Sequence, residues 1–133
     1  MYARFLLLLL SISLPVHAAE SELGPPLSLR ELAACRQALP SSTKKYVETS
    51  CHGRDVSSLV GMWRKELDES LGKPSWCNTK ETIAIEAKSC IYSTELGYSF
   101  YVLPRNSLGG GPELVVALDG KDRVISAKWV FTQ

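Results

Sequence analysis

Four cysteines are the most informative reactive residues of this 133-residue chain. They are Cys35, Cys51, Cys77 and Cys90, and all of them follow the first 18 residues. An even number of cysteines favours disulfides in an oxidising compartment. Zinc is the alternative, but no two cysteines have the C-x-x-C spacing, and His52 is the only histidine beyond residue 18. The pattern therefore favours two disulfides over a metal site, and three pairings are open.

The residues that could catalyse a reaction do not form a recognisable set. His52 lies between Cys51 and Gly53, a context typical of a turn that carries a disulfide. Serines are numerous, but none lies in the G-x-S-x-G pattern of a nucleophile elbow. A thiol enzyme would need a free thiolate, which paired cysteines do not provide. We therefore predict no catalytic residue and no enzymatic activity.

The carboxylates and glycines also indicate no cofactor and no metal. Glu69 shares a predicted helix surface with basic residues, so it is expected to face solvent. Asp119 and Asp122 flank a predicted turn, where aspartate bonds to the main chain. The glycines of Gly109–Gly111 precede a predicted strand rather than a helix, so a phosphate cradle is not expected.

The first 18 residues have the pattern of an export signal. Arg4 supplies the positive start, Phe5–Leu14 the apolar run, and the V-H-A triplet that ends at Ala18 a cleavage site. The apolar run is too short to span a bilayer of about 30 Å as a helix. No cysteine lies near the cleavage site, so no lipid anchor is expected. We predict a signal peptide over residues 1–18, cleaved after Ala18 or Ala19, and a soluble periplasmic product.

Charge and length restrict the partner and the number of domains. Of the charged residues only Arg4 lies in the first 18, so the 15 basic residues fall to 14 against 14 acidic ones. A balanced charge gives no reason to expect a nucleic acid or an anionic membrane as partner. Removing 18 of 133 residues leaves 115, enough for one domain with its own core. We predict a flexible leader over Ala19–Leu27 and a single domain over 28–133.

Two helical stretches precede the predicted strands. Ser28 and Glu31 form a capping box that opens a short helix. A second apolar stripe runs over Val56–Leu71 at helical spacing. Gly61 lies inside this stripe and costs about 1 kcal/mol relative to alanine in a helix. The stripe is therefore either one helix or a turn followed by a helix from Trp63, and the glycine favours the break.

After the second helix the apolar residues alternate with a period of two, which predicts strands. The predicted strands are Thr82–Tyr92, Gly97–Leu103, Glu113–Leu118 and Arg123–Phe131. Short connections at Thr94–Gly97 and Asp119–Asp122 favour an antiparallel meander. The predicted fold class is α+β, with the N-terminal helices packed on one face of a C-terminal antiparallel β-meander of about four strands.

The chain has more large aromatic side chains than one small helical layer can cover. Trp63, Phe100 and Trp129 are the expected core members. The expected surface aromatics are Trp76 and Tyr101. Trp76 is placed in the loop between helix and sheet, and Tyr101 has the opposite parity to Phe100 in its predicted strand. Exposed tryptophan and tyrosine often anchor protein interfaces. The alternative is that Tyr101 only covers the rear of a half-exposed sheet.

A candidate interface combines these surface aromatics with the neighbouring glycine loop. Its residues are Trp76, Tyr101, Leu103, Gly109, Gly110 and Gly111. The loop is expected to adjust to a partner without contributing an essential side chain. The expected partner is a periplasmic or envelope protein.

A short signature in the centre of the chain is similar to that of a known family. Gly61-Met62, Glu66-Leu67 and the segment Leu71–Pro74 resemble the signature of the BamE (SmpA/OmlA) superfamily of small Gram-negative envelope proteins. Leu114–Gly120 and Arg123–Trp129 resemble that family's closing hairpin, and the whole resemblance covers about Leu59–Val130. It implies two helices packed on an antiparallel sheet, akin to repeats of the β-lactamase inhibitor protein, and a non-enzymatic binding module.

Two departures from that family affect what the resemblance implies. The best-known members are lipoproteins, and this chain lacks their lipidated cysteine. Four cysteines are also atypical of the assembly-factor branch. We therefore expect an accessory of envelope assembly or maintenance, or alternatively an inhibitor or immunity protein against a periplasmic enzyme.

The cysteine spacing yields a testable pairing. We expect Cys35–Cys51 and Cys77–Cys90, because each pair joins cysteines that are neighbours in the chain. Each bond should stabilise the fold by up to about 3 kcal/mol in the chain-entropy model. Peptide mapping of the exported protein without reduction should recover these two pairs. A Cys51–Cys77 peptide, or any free thiol, would contradict the pairing.

Overall fold

The computed structural model describes residues 25–78, 83–84 and 87–133, with the main chain alone at 83–84 and 87–89. The predicted signal peptide, most of the predicted leader and part of the predicted strand Thr82–Tyr92 lie outside the described residues. Leu27, predicted as the last leader residue, is fully buried. Its main-chain N–H donates to the carbonyl oxygen of Asp55 at 2.8 Å. The packed part of the chain therefore begins before Ser28.

The first helix, α1, spans Leu29–Gln37 and begins at the predicted cap. The Ser28 hydroxyl oxygen accepts a hydrogen bond from the main-chain N–H of Glu31 at 3.1 Å. The segment 41–51, between the two predicted helices, contains strand β1 at Val47–Glu48. Across the described ranges, no helix has both the length and the apolar character needed to cross a bilayer.

The apolar stripe from residue 56 to 71 is broken, as the glycine favours. A 3₁₀ turn at Ser57–Leu59 is followed by the second helix, α2, at Arg64–Leu71. Gly61 has a φ of 89°, a conformation that glycine adopts at little cost. The Glu66 carboxylate then accepts from the main-chain N–H of Trp63 at 2.8 Å and caps the start of α2.

The strands form two antiparallel sheets. The remaining strands are β2 at Trp76–Asn78, β3 at Ile83–Ala84, β4 at Glu95–Ser99, β5 at Tyr101–Val102, β6 at Pro112–Leu118 and β7 at Val124–Phe131. In the described residues, one sheet has the order β3-β2-β4-β6-β7, and β1 pairs with β5 in a second sheet of two strands. The fold is α+β with helices before the larger sheet, as predicted, and that sheet has five strands in the described residues where the sequence predicts about four.

The predicted strand Thr82–Tyr92 is wrong over its second half, because Ala87–Tyr92 forms a 3₁₀ helix. The disulfide explains why. Cys77 is paired in register with Ala84, so a strand continuing to Cys90 would carry it about 20 Å away at ~3.3 Å per residue. The Cα atoms of Cys77 and Cys90 are instead 5.6 Å apart. Cys90 therefore lies beside β2 and not at the end of a continuous strand.

The predicted neighbours of this segment are also displaced. Trp76 lies in strand β2 rather than in a loop, and β2 takes the place beside β4 that the meander assigned to Thr82–Tyr92. The predicted turn Thr94–Gly97 is largely strand, because β4 begins at Glu95. The Thr94 main-chain N–H donates to the carbonyl oxygen of Asn78 at 3.2 Å, which continues the pairing of β4 with β2.

The predicted strand Gly97–Leu103 is divided at Phe100 between the two sheets. The Phe100 N–H donates to the carbonyl oxygen of Pro112 at 3.0 Å, which extends the larger sheet. Its own carbonyl oxygen accepts from the Thr49 N–H at 3.0 Å, which begins the smaller sheet. Phe100 is fully buried and joins the two sheets at one position.

Both disulfides are the predicted pairs. Cys35–Cys51 joins α1 to the turn that follows β1, with a Cα separation of 6.4 Å. Cys77–Cys90 joins β2 to the 3₁₀ helix. Each bond therefore fixes a segment with little regular structure to a helix or strand of the core.

One hydrophobic cluster joins the helices to the larger sheet. Its buried members include Leu32 of α1, Leu67 and Leu71 of α2, Leu96 and Tyr98 of β4, Leu114, Val116 and Leu118 of β6, and Val124 of β7. Phe100 meets Trp129 edge to face, with ring centroids 5.0 Å apart. The predicted core roles of Phe100 and Trp129 therefore agree with the structure.

Trp63 is not a core residue, contrary to the prediction. Its side chain is 44% exposed, and the Arg123 guanidinium lies 4.1 Å from its ring centroid. Trp63 precedes α2 and forms an isolated antiparallel bridge with Arg123. The break at Gly61 thus removes Trp63 from the helical face that its spacing suggested.

The helix face of α2 can be tested with one buried and one exposed position. Leu67 is fully buried in the core cluster, whereas Glu69 is exposed. Leu67→Ala is expected to lower the free energy of unfolding by about 2–5 kcal/mol because it leaves a cavity. Glu69→Ala should change it by less than about 0.5 kcal/mol. Urea denaturation of both variants measures the difference, and equal losses would show that the face is misassigned.

Candidate functional site

The candidate site lies on the sheet surface that is turned away from Leu96 and Leu114. Along β4 and β6 these leucines point into the core, so residues of the other parity occupy the opposite surface. We call this surface, which carries Trp76, Gly97, Ser99 and Glu113, the rear face. Trp76 pairs in register with Gly97, and Ser99 with Glu113.

Glu113 is the polar centre of the rear face. It is only 5% exposed, and its Oε2 accepts a hydrogen bond from the Trp76 indole Nε1–H at 2.7 Å. Its Oε1 accepts from the hydroxyl groups of Ser99 and Tyr101, both at 3.4 Å. Among the described residues Glu113 forms no ion pair. Neutral donors on three neighbouring strands therefore satisfy this buried acid.

The Trp76 indole packs closely against the backbone of Gly97. A Cβ atom added at Gly97 would be 2.0 Å from Cε2 of the Trp76 indole, a separation that no real side chain allows. Glycine is therefore required beneath the ring. The indole is fixed from below by Gly97 and at its edge by Glu113, while Trp76 stays partly exposed.

Tyr101 is held against a second tyrosine. Its ring stacks on Tyr46 with centroids 6.2 Å apart and an interplanar angle of 26°. A Cβ atom at Gly111 would lie 2.6 Å from both Tyr101 Cγ and the Tyr46 hydroxyl oxygen. The Tyr46 hydroxyl donates to Glu48 at 2.7 Å, and burial together with this bond raises the pKa of Tyr46 to about 12. Tyr46 therefore remains a neutral donor at physiological pH.

The structure brings together three of the six predicted interface residues. Trp76 and Tyr101 meet at Glu113, and Gly111 lies beneath Tyr101. Leu103 and Gly109 lie farther along the loop, where a Cβ atom at Gly109 would be 4.0 Å from Leu103 Cδ2. The predicted surface aromatics are thus neighbours, joined by a residue that was not predicted.

The glycine loop is less adjustable than the sequence suggested. A Cβ atom at Gly110 would lie 2.3 Å from the carbonyl oxygen of Thr132. The main-chain N–H of Thr132 in turn donates to the carbonyl oxygen of Gly111 at 3.0 Å. Gly110 and Gly111 are therefore packed spacers, and of the three glycines only Gly109 is exposed, with a φ of 137°.

Sequence reasoning missed Glu113 and Tyr46 as site residues. Glu113 is the single charged residue in the otherwise apolar run of β6, and that isolation is the signal that could have identified it. Tyr46 carries no such signal, because its segment has no clear periodicity. Only the pairing of β1 with β5 places it beside Tyr101.

His52 is exposed and has no catalytic neighbour in the described part of the chain. Its Nδ1 lies 3.1 Å from the carbonyl oxygen of Thr49 and 3.8 Å from the Glu48 carboxylate. The adjacent Cys51 is disulfide-bonded and therefore is not a nucleophile. The described residues also contain no group of three or more His, Cys, Asp or Glu side chains that could hold a metal.

Comparison with known proteins finds no relative: no protein-family model, no curated protein and no solved structure matches the chain.

The contact between Trp76 and Gly97 can be tested with a matched pair of variants. Gly97→Ala should destabilise the fold by about 1–3 kcal/mol, because the new methyl group overlaps the indole ring. The Trp76 indole N–H resonance should shift upfield as its bond to Glu113 is lost. Gly120→Ala is the control, because nothing lies within 4 Å of its added Cβ atom. An unshifted indole resonance in Gly97→Ala would contradict the contact.

Proposed function

We propose that this chain is an exported, disulfide-stabilised module that binds a protein partner in the periplasm through its rear face. One hydrophobic cluster joins residues of the helices to the core side of the sheet, and this supports assigning the rear face to the partner. The observation that carries the proposal is the cluster of Trp76, Tyr101 and Tyr46 around the buried Glu113. It consists of partly exposed aromatic side chains that are already fixed before any partner arrives.

Fixed aromatic side chains favour binding for a thermodynamic reason. Ordering a free side chain at an interface costs about 0.5–1.5 kcal/mol, and that cost is avoided where the ring is already held. Trp76 is held by Gly97 and Glu113, and Tyr101 by Gly111 and Tyr46. Tryptophan and tyrosine are also the residues most enriched among interface hot spots. The rear face thus has both the composition and the rigidity of a binding surface.

The proposed compartment follows from two features of the chain. Residues 1–18 have the pattern of a signal peptide. The two disulfides suit an oxidising compartment such as the bacterial periplasm. The resemblance of Leu59–Val130 to the BamE superfamily supports a role as an accessory of envelope assembly or maintenance.

The second candidate function is an inhibitor or immunity protein against a periplasmic enzyme. Leu108 favours it, because this apolar side chain is 100% exposed on the loop beside the rear face. The loop turns at Asn106, which has a φ of 64°, and Gly109 on the other side has a φ of 137°. A fully exposed apolar side chain on a loop is the kind of group that an inhibitor inserts into the cleft of an enzyme.

Partner capture tests the proposed function directly. Mature protein immobilised on beads is expected to retain a partner from periplasmic extract. Trp76→Ala and Tyr101→Ala should each weaken this binding by at least about 2 kcal/mol, as truncation of a hot spot does. Lys121→Ala, at an exposed turn outside the rear face, should change it by less than about 0.5 kcal/mol. Thermal unfolding of each variant shows whether a loss of binding reflects unfolding.

The outcomes separate the candidate functions. Loss of capture in Leu108→Ser with Trp76→Ala unaffected would favour the inhibitor role. If no partner is captured, while the purified protein turns over a cell-wall or phosphoester substrate and His52→Ala abolishes that turnover, the binding function is refuted.

A further inference from the structure

Strand β7 is the last strand of the larger sheet and the longest strand described. It spans Val124–Phe131 and pairs on one side with β6. Its other side is paired at one end only: Val124 donates its N–H to Met62 at 2.9 Å and accepts from the Gly61 N–H at 2.8 Å. Farther along that side Ser57–Leu59 and Arg54 still lie near β7, but no main-chain hydrogen bond joins the described residues there to Ala127, Trp129 or Phe131.

The direction of each main-chain group along β7 follows from a single bond. Thr132 donates its N–H to the carbonyl oxygen of Gly111 at 3.0 Å, so this pair is hydrogen-bonded. Bonded and non-bonded pairs alternate in an antiparallel ladder. Val130 and Lys128 therefore point their main-chain groups toward β6, as does Ser126. The main-chain groups of Ala127, Trp129 and Phe131 point to the other side, where the described residues provide no strand.

A groove runs along this free edge. It has a volume of about 370 Å³ and lies between the segments 53–60 and 125–129. Its far wall is fixed to β7 by one bond, in which the Trp129 indole Nε1–H donates to the carbonyl oxygen of Arg54 at 2.8 Å. Apolar side chains border it: Ile125 is 58% exposed, and Val60 is about as exposed. The groove therefore combines unpaired main-chain groups with apolar contact surface.

The charges beside the groove are mainly positive. Arg123 and Lys128 are the two charged residues from 123 to 131, and both are basic. Lys128 is exposed and forms no ion pair with any described residue. Asp55, on the opposite wall, already accepts from the Ser57 N–H at 2.8 Å through its carboxylate. An extended segment with acidic side chains complements this edge.

A second copy of the chain fits the edge less well. Antiparallel pairing of two β7 strands centred on Lys128 would place the two lysines opposite each other. Centring on Trp129 would place each Lys128 diagonal to its copy, at about 7–8 Å. A register centred on Val130 separates the two lysines further. In that register only Trp129–Phe131 of one β7 strand pairs with β7 of the other copy. A lysine in the middle of an edge strand is also a common means of preventing association between identical edges.

We infer that the free edge of β7 binds an extended acidic segment of a partner protein by β-strand addition. The segment pairs with the main chain of Ala127, Trp129 and Phe131 and places a carboxylate beside Lys128. Main-chain bonds provide the affinity in this mode, and the flanking side chains provide the specificity. This edge is separate from the rear-face cluster around Glu113, so the inference extends the proposed function and does not depend on it.

The test uses two capped heptapeptides with the mature protein. One alternates threonine and glutamate, and the control alternates threonine and lysine. With the acidic peptide, amide hydrogen exchange at Ala127, Trp129 and Phe131 should slow at least tenfold. The amides of Ser126 and Lys128 already bond to β6, so their exchange should change little.

Two variants separate main-chain pairing from charge. Ala127→Pro removes an outward-pointing main-chain N–H, a change that an edge strand tolerates. It should lower the affinity for the acidic peptide at least tenfold. Lys128→Glu should lower the affinity for the acidic peptide about fivefold, so that the protein prefers the basic control peptide. Trp76→Ala should leave the peptide affinity within twofold, so this inference and the rear-face proposal can fail independently.

Three results would overturn the inference. The first is unchanged exchange at millimolar acidic peptide. The second is equal peptide affinity in Ala127→Pro and the unaltered protein. The third is slow amide exchange at Ala127, Trp129 and Phe131 without peptide. Slow exchange that depends on protein concentration would show that a second copy occupies the edge. Slow exchange that is independent of concentration would show that the chain itself covers the edge.

Discussion

The side chain of Arg36 holds the two helices and the sheet in one arrangement. From α1 it donates to the carbonyl oxygen of Leu71 at the end of α2, and to that of Lys73 at 3.3 Å. It also donates to the Ser75 hydroxyl at 3.3 Å and to the carbonyl oxygen of Ser99 at 3.4 Å. These oxygens include helix-end and strand-end acceptors that the regular hydrogen-bond pattern leaves open. A planar guanidinium with five donors is suited to serve them together.

Among the described residues, Arg36 forms its hydrogen bonds with carbonyl and hydroxyl oxygens and no ion pair with a carboxylate. Burial lowers the pKa of Arg36, but the C-terminal end of a helix dipole and several carbonyl oxygens favour its charged form. On the other side of β4, the Glu113 carboxylate is likewise bonded to neutral groups. Ser99 contacts both, because its carbonyl oxygen accepts from Arg36 and its hydroxyl donates to Glu113. The rear-face cluster and the helical layer are therefore coupled through one residue of the sheet.

The sequence predicts best those features that depend on neighbouring residues. The cap at Ser28, the break at Gly61 and the alternation of β6 and β7 arise from local chemistry, and the structure has them. The order of the strands depends on distant contacts, so the sequence predicts a loop where the structure has the short strand β2. The site shows the same division: parity indicated Tyr101, but its neighbour Tyr46 is defined only by the pairing of β1 with β5.

The disulfides explain how so small a domain can leave large aromatic side chains outside its core. Trp63 is 44% and Phe131 65% exposed, so much of their apolar surface does not contribute to burial. Each disulfide instead stabilises the fold by restricting the unfolded chain, a contribution of about 3 kcal/mol for a loop of some 15 residues. That contribution does not require the aromatic side chains to be buried. The covalent links at Cys35–Cys51 and Cys77–Cys90 thus add stability to that of the hydrophobic core, while part of the aromatic surface remains exposed.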